Sequence, residues 1–236
     1  MEAVNSTVLK DGIAAITLDL DETLWPSGPA IAGAEAQLHV WLEQHAPAVA
    51  AAFPPLQFAQ FRRELAAELP GIAHDFTALR HEALTRALAL QGESTALADP
   101  AMDVFLTARS VVELYPDVTG ALERLSERYR IVALTNGNAC IERAGVARFF
   151  TAIVNARSAG VGKPDFRIFH AACTRAGVPP EEALHAGDDP DLDVRAAARA
   201  GLRAAWINRS RAAWTGEPEA FAEFHDLLGL CQWLGV

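Results

Sequence analysis

The chain has few cysteines, no long apolar run and a shortage of positive charge. Its 3 cysteines, with no Cys-x-x-Cys pair, predict neither a disulfide framework nor a zinc site. No segment reaches the roughly 18 apolar residues that cross a bilayer, and residues 1–11 lack the basic start and apolar stretch of an export signal. We therefore expect a cytoplasmic protein with no membrane partner.

The charge balance argues against polyanions as partners. Lys and Arg number 20 and Asp and Glu number 30, which gives a net charge of −10. The sequence also has no basic patch with interleaved aromatic residues, so we expect no nucleic-acid partner. A small anionic substrate stays open, because a bound metal ion and a lysine can reverse the field locally.

The apolar pattern predicts an α/β fold. Hydrophobic residues make up 51% of the chain, enough for a sizeable core. Short apolar runs separated by helical patterns predict five strands: Ile13–Leu18, Arg130–Leu134, Ala152–Val154, Ala183–His185 and Arg203–Ile207. Such an alternation is typical of a Rossmann-like parallel sheet with helices on both faces, whose active site lies outside the carboxyl ends of the strands.

A long insertion separates the first two strands. Within residues 26–112, apolar residues recur at helical spacing in four groups, which begin near Ile31, Phe58, Phe76 and Met102. The insertion is far longer than one crossover helix requires. We therefore predict an α/β core domain of residues 1–25 and 113–236, with residues 26–112 inserted as a helical bundle.

Two carboxylates stand where the first strand ends. Asp19 and Asp21 follow its apolar run directly, two residues apart. In such a pair, one carboxylate can attack or bind a metal ion while the other moves a proton. Taken alone, the pair is equally compatible with simple termination of a strand, because acidic residues are common there.

Three later segments decide between these interpretations. Thr135-Asn136-Gly137 ends the second apolar run, Gly162-Lys163-Pro164-Asp165 supplies a lysine, and Gly187-Asp188 is followed five residues later by Asp193. With Asp19-Leu20-Asp21-Glu22-Thr23 they resemble, in order, the four motifs of the haloacid-dehalogenase-like (HAD) hydrolases. Each motif is weak alone, but four in order are specific, and the matching core covers residues 11–24 and 113–210.

The resemblance implies a phosphatase that cleaves small phosphate monoesters through an aspartyl-phosphate. Asp19 would be the nucleophile, and Asp21 the acid that protonates the leaving group and later activates water. Thr135 and the Asn136 backbone N–H would bind the phosphate. Lys163 would balance the charge of Asp19 and the phosphate.

The resemblance also implies a bound Mg²⁺. Asp19, Asp188 and the backbone carbonyl of Asp21 would be its ligands, with Asp193 behind them orienting Lys163 or a metal-bound water. Asp189 stands where many relatives have serine, so its role is open. For the carboxylates of 188–193, capping of the following helix is the alternative, and the two roles can coexist.

Substrate selection is expected in the inserted helices, which the resemblance implies form a cap over the substrate. Trp25, Asn138, His74 and Arg80 are the candidate substrate-binding residues. The alternatives are packing for Trp25, turn capping for Asn138, and a solvated helix end capped by Asp75 for the His74–Arg80 region. That region and the motifs around Asn138 and Asp189 are similar to those of bacterial FMN and riboflavin-precursor phosphatases.

Three other functions share some of these sequence features and have to be compared with the phosphatase. Haloacid dehalogenases use the same nucleophile without a metal or a second aspartate, and Asp21 and Asp188 argue against that chemistry. A phospho-receiver signalling module carries its acceptor on the third strand in a chain about half as long. A catalytically silent scaffold is disfavoured because no motif is broken. The leaving group and the oligomeric state stay open.

Overall fold

The computed structural model describes residues 12–215 and 221–236, so residues 1–11, including their predicted lack of an export signal, lie outside the described residues. The chain divides into two compact units. Of the described residues, the core unit contains 12–26, Glu113–Gly137 and those from Gly145 onward, and the helical unit contains Ser27–Val112 and Asn138–Ala144. Within the described ranges, no helix is long and apolar enough to cross a membrane.

Six parallel strands form the sheet of the core unit. They are β1 (Ala15–Leu18), β2 (Arg130–Thr135), β3 (Ala152–Asn155), β4 (Ala183–Gly187), β5 (Arg203–Ile207) and β6 (Phe221–Phe224). Their order is β3-β2-β1-β4-β5-β6, which is the doubly wound arrangement and confirms the predicted fold class. The strand order reverses between β1 and β4, where such sheets bind their ligands.

Helices fill the connections. In chain order they are α1 (Ser27–His45), α2 (Pro47–Ala52), α3 (Pro55–Glu68), α4 (Phe76–Leu90), α5 (Ala98–Arg109), α6 (Val118–Arg128), α7 (Ala156–Ala159), α8 (Phe166–Ala176), α9 (Ala196–Arg199) and α10 (Leu227–Leu234). A π-helical turn at Pro190–Arg195 leads into α9. The first five belong to the helical unit and the rest to the core unit.

The core unit buries one apolar face of each long helix. Helix α8 packs Ile168, Phe169 and Ala172 in one hydrophobic cluster with the strands and with α9. The sequence explains where α8 begins and ends: Asp165 caps its first turn, and Gly177 ends its last turn in the left-handed conformation. Helices α6 and α10 pack on each other and are joined by the Cys231 thiol, which lies 3.6 Å from the carbonyl oxygen of Ala121.

The helical unit has its own hydrophobic core. Leu38, Leu42, Leu65, Leu84 and Phe105 are buried together from α1, α3, α4 and α5. These helices contain the four groups of apolar residues that the periodicity marks. Asp75 caps α4 by accepting from the backbone N–H groups of Thr77 and Ala78, at 3.0 Å each.

Candidate active site

The carboxyl end of β1 brings Asp19 against Lys163. The Lys163 ammonium lies 2.5 Å from Oδ1 of Asp19 and 2.5 Å from Oδ1 of Asp193, and all three side chains are buried. The register explains the meeting: Leu18 pairs with Ala133 of β2 on one side and with Ala186 of β4 on the other. Residues that follow β1 and β4 therefore leave the sheet side by side.

Opposite charges set the ionisation of this group. Although burial alone would lower it, the pKa of Lys163 is raised above its usual value by Asp19 and Asp193. Burial raises the pKa of Asp19, and Lys163 opposes that shift. Asp193 is buried too, but the ammonium of Lys163 and the ring of His185 hold its pKa well below the usual range. Lys163 therefore stays protonated between the two carboxyl groups.

A glycine makes room for Asp193. A Cβ added at Gly187, the last residue of β4, would overlap the Asp193 carboxylate. Asp193 also accepts from the Asp189 backbone N–H at 3.0 Å and interacts through Oδ1 with His185 Nε2 at 3.0 Å. With both oxygens committed, Asp193 orients Lys163.

His185 is a contributor that the sequence analysis did not identify. Its ring is fully buried, with Nδ1 2.8 Å from the Thr17 hydroxyl and Nε2 facing Asp193. Burial lowers the pKa of His185, so the ring is neutral. Because an ionised Asp193 can only accept, Nε2 carries the proton and Nδ1 accepts from Thr17. The sequence signal is a polar residue inside an otherwise apolar strand.

The side chain of Asn136 positions the lysine loop. Its amide oxygen accepts from the Lys163 backbone N–H at 2.7 Å, and its amide nitrogen donates to the Lys163 carbonyl at 2.9 Å. From the sequence, only the backbone N–H of Asn136 is expected to contact the phosphate. The two hydrogen bonds give its side chain a further role, which is to fix the loop that carries the ammonium.

Asp21 is held on both sides. The Trp25 indole N–H donates to Oδ1 of Asp21 at 2.8 Å, and the backbone N–H of Glu22 donates to the Trp25 carbonyl at 2.8 Å. Gly137 lies against the other carboxylate oxygen so closely that a Cβ there would overlap it. Since the indole is buried, its geometry favours positioning of Asp21 over direct contact with a substrate.

Asp188 completes an acidic group at the end of β4. Thr23 lies between the two carboxylates, with its hydroxyl 3.3 Å from Asp19 and 3.4 Å from Asp188. The Trp206 indole N–H donates to the Asp188 carbonyl at 2.7 Å, which fixes the backbone there. Burial, with help from the charge of Asp193, raises the pKa of Asp188 to about 7.

These acids have the chemistry of a divalent-metal site. Ligand atoms of Asp19, Asp188 and Asp193 lie within 4.8 Å of one another. Carboxylate oxygens are what Mg²⁺ prefers, and a half-buried carboxylate that is hard to ionise beside other acids is stabilised by a cation. Because Asp193 is occupied by Lys163, His185 and Asp189, the oxygens suited to a metal ion are those of Asp19 and Asp188.

Thr135 and Asp189 are the remaining predicted site residues of the core unit. Thr135 accepts from the Gly137 backbone N–H at 2.9 Å, which leaves its own hydroxyl proton available to a ligand. Asp189 caps the turn that follows it, accepting from the N–H groups of Asp191 and Leu192 at 2.8 and 2.9 Å. The Asp189 side chain therefore caps this turn, as the alternative interpretation predicts.

In the helical unit, the structure favours a structural role for Arg80. This guanidinium is 5% exposed, donates to Glu35 at 2.8 Å and lies 3.5 Å above the Phe105 ring. Burial lowers its pKa to about 10. His74 is half-buried in the turn before Asp75, and that helix end has the cap that the alternative interpretation expects. Asn138 donates to the Thr77 hydroxyl at 3.3 Å.

Comparisons with known proteins agree with this geometry. A family model described as haloacid dehalogenase-like hydrolase matches residues 13–201. The 5-amino-6-(5-phospho-D-ribitylamino)uracil phosphatase YigB of Escherichia coli (strain K12) is 32% identical over 199 residues, which are 83% of each chain. A glyceraldehyde 3-phosphate phosphatase of Methanopyrus kandleri is 31% identical over 209 residues, 84% of this chain and 85% of the relative.

Among solved structures, a 2-haloacid dehalogenase from Pseudomonas syringae pv. Tomato DC3000 is similar with a TM-score of 0.89. The two share 38% identity, and the match covers 94% of this chain and 98% of that one. The phosphatase relatives, each matching more than four fifths of the chain, support a phosphatase. By the match of its motifs, its sheet and its relatives, the chain belongs to the haloacid dehalogenase-like hydrolases.

Proposed function

We propose that this enzyme is a Mg²⁺-dependent phosphatase that hydrolyses small phosphate monoesters through an aspartyl-phosphate on Asp19. The observation that carries the proposal is the joint placement of three groups. A buried carboxylate is paired with a lysine, and a second carboxylate follows two residues later on the same loop. A third carboxylate lies beside the first and has no ammonium partner among the described residues. Phosphoryl transfer requires this set of a nucleophile, charge neutralisation and a proton source.

In the first half-reaction, a carboxylate oxygen of Asp19 attacks phosphorus and the bond to the leaving alkoxide breaks. Asp21, held by Trp25, gives its proton to that alkoxide. The Thr135 hydroxyl and the backbone N–H of Asn136 donate to the phosphate oxygens, and the Lys163 ammonium offsets their charge. The products are the free alcohol and the aspartyl-phosphate.

In the second half-reaction, water attacks the phosphorus of the aspartyl-phosphate. Asp21, now ionised, takes a proton from that water, and the bond from phosphorus to Asp19 breaks. Inorganic phosphate leaves and both carboxylates return to their starting state. The Asp193–His185–Thr17 hydrogen bonds keep Lys163 in place through both steps.

Asp19, Asp188 and the carbonyl of Asp21 would hold the metal ion. When bound, Mg²⁺ would supply positive charge to the phosphate oxygens, as it does in phosphoryl transfer generally. Residues of the chain would orient these ligands. The Trp206 indole holds the Asp188 backbone, and the Thr23 hydroxyl lies between the carboxylates of Asp19 and Asp188.

Mutation of the proposed acid gives the first prediction. Asp21→Asn should lower kcat for alkyl phosphates by roughly 10²-fold or more, because a poor leaving group needs the proton. It should slow the cleavage of p-nitrophenyl phosphate much less, because nitrophenolate leaves without one. Trp25→Phe, which removes only the indole N–H, should show the same pattern in milder form. Equal losses on both substrates in Asp21→Asn would rule out Asp21 as the acid.

Mutation of the proposed metal ligand gives the second prediction. Asp188→Ala should raise the Mg²⁺ concentration for half-maximal activity by roughly ten-fold or more, because one charged ligand is lost. Asp191→Asn is the matched control, since that acid lies three residues away with its side chain 74% exposed. Superimposable metal titrations of Asp188→Ala and the parent would show that the ligand assignment is wrong.

We propose, as the narrower substrate, FMN or a phosphorylated ribityl precursor of riboflavin. The similarity to the Escherichia coli phosphatase supports this, whereas the Methanopyrus relative, at almost equal identity, is named for a triose phosphate. The motifs of the core read only phosphate, so discrimination would come from the helical unit acting as a cap. His74 is the candidate retained there, because Arg80 is already paired with Glu35.

A panel of phosphorylated metabolites tests the proposal. Phosphate release should depend on Mg²⁺, stop with EDTA, and rank the ribityl and flavin phosphates above glyceraldehyde 3-phosphate. A low rank for the flavin-type phosphates would remove the narrower substrate and leave the general phosphatase.

Dehalogenation is the second candidate, favoured by the likeness to the Pseudomonas structure. A halide leaves as an anion and needs no proton, so dehalogenation does not require Asp21 as an acid. The same panel should therefore include a 2-haloacid. Halide release without metal, and no phosphate release, would replace the phosphatase by a dehalogenase.

A further inference from the structure

Residues 138–144 connect the proposed phosphate-binding residues Thr135 and Asn136 to the helical unit. They are flanked on both sides by core residues, yet they pack with the helical unit. The chain thus passes from one unit to the other at the peptide bond between Gly137 and Asn138. This crossing lies only three residues after Thr135.

Hydrogen bonds fasten the segment to two helices of the helical unit. Asn138 donates to Thr77 in the first turn of α4 at 3.3 Å. The Cys140 backbone N–H donates to Ser110 at 3.0 Å, and Arg143 donates to Thr107 of α5 at 2.6 Å. Ala139 and Ile141 are buried between these contacts, so the segment is held as part of that unit.

The core side of the same crossing is equally fixed. The Gly137 N–H donates to Thr135, and the Gly137 backbone lies against the Asp21 carboxylate with no room for a side chain. One residue therefore touches the proposed acid, and its neighbour is bonded to α4. Because Gly137 is joined to Asn138 by a peptide bond, a displacement of Asn138 moves the Gly137 backbone that lies against Asp21.

We propose that Asn138 is a positioning residue, which acts with Thr77 to set Gly137 against Asp21 and so makes proton donation depend on the helical unit. The inference rests on the proposed phosphatase function, in which Asp21 is the acid. It assigns Asn138 a different role from direct substrate binding. The two roles differ in what they require of Thr77, because only positioning needs its hydroxyl.

Four variants test the proposal: Asn138→Ala, Thr77→Val, their double variant, and Thr77→Ser as the matched control that keeps the hydroxyl. The first two should each lower kcat for an alkyl phosphate by roughly three- to ten-fold and change p-nitrophenyl phosphate by less than about two-fold. The double variant should be no worse than the more affected single variant, since both remove one interaction. Thr77→Ser should behave like the parent.

A second readout does not depend on turnover. The Trp25 indole N–H is bonded to Asp21, so its NMR resonance should shift in Thr77→Val and return in Thr77→Ser. The Trp206 indole, bonded to the Asp188 carbonyl, serves as the internal reference and should not move. If the parent released no phosphate, the proposed function would be wrong. The NMR measurement would still show whether the loss of the Thr77 hydroxyl changes the environment of Asp21.

Two results would overturn the positioning role. In one, Thr77→Val matches the parent in both activity and the Trp25 resonance while Asn138→Ala is impaired, which would make Asn138 a substrate contact. In the other, Thr77→Val and Asn138→Ala lose activity equally on both phosphates with Trp25 unmoved, which would reduce the hydrogen bond to a stability contact.

Discussion

Replacing Asp19 by asparagine is expected to lower kcat/KM for every phosphate monoester by roughly 10³-fold or more, because an amide cannot attack phosphorus. The change keeps the size of a side chain that is buried between Lys163 and Thr23. The fold should therefore survive, and circular dichroism together with the thermal midpoint checks that it does.

Asp191→Asn is the control for Asp19→Asn, because it removes one carboxylate from an exposed position in the fourth motif. It should retain parental activity. Near-normal turnover by Asp19→Asn would contradict covalent catalysis by Asp19. Partial activity that recovers over days would indicate deamidation back to aspartate, which a peptide mass would identify.

Replacing Lys163 by methionine is expected to have the second-largest effect, a loss in kcat of roughly 10²-fold or more. The side chain keeps its length but leaves Asp19 and Asp193 buried without their shared cation. Removing one partner of a buried ion pair typically costs about 3–5 kcal/mol, so the thermal midpoint should fall as well. Lys163 also opposes the upward pKa shift of Asp19.

The sign of the pH effect follows from that opposition. Without the ammonium, the pKa of Asp19 rises further, and ionised nucleophile is present only at higher pH. The acid limb of the pH–rate profile should therefore move to higher pH in Lys163→Met. Arg167→Met, which removes a 62% exposed cation four residues away, should leave the profile unchanged. A Lys163→Met profile that overlays the parent's would contradict the pairing.

Lys163→Arg separates charge from shape. The chain has only two lysines, Lys10 and Lys163, and otherwise uses arginine. A compact ammonium can lie 2.5 Å from both Asp19 and Asp193, whereas a planar guanidinium needs more space. Lys163→Arg should therefore remain well below the parent in activity despite the retained charge.

Much of the fold follows from the apolar runs. Strands β1, β2, β4 and β5 coincide with predicted runs because they are buried, and burial is what a continuous apolar pattern indicates. Strand β3 lies at one edge of the sheet and is only partly buried, but its apolar residues Ile153 and Val154 still mark it in the sequence. Strand β6 lies at the edge of the sheet and is partly exposed, so its Phe-Ala-Glu-Phe sequence gave no such signal. Helix α2 is too short for a helical period to be recognised.

The candidate site was predictable where motifs mark strand ends, and less so where contacts are made across the fold. Asp19 and Asp188 meet because the neighbouring parallel strands β1 and β4 end at one edge of the sheet, and the motif that carries Lys163 supplies the cation that contacts Asp19. The side chain of Asn136 is hydrogen-bonded to the backbone of Lys163, which is 27 positions away, and His185 contacts Thr17, which is 168 positions away. Neither contact can be read from a local sequence pattern. Residues 138–144 join the helical unit largely through hydrogen bonds, which leave no periodic pattern in the sequence.

The proposed mechanism requires a covalent bond between the phosphoryl group and Asp19, and this intermediate can be trapped. Asp21→Asn should accumulate the intermediate with p-nitrophenyl phosphate, because its leaving group needs no acid while hydrolysis still needs Asp21 as the base. After acid quench and digestion, the peptide containing Asp19 should carry the added mass of one phosphoryl group, and the same peptide from an Asp19→Asn variant should carry none. Sustained phosphate release by Asp21→Asn, with the Asp19 peptide unmodified at every quench time, would contradict this mechanism.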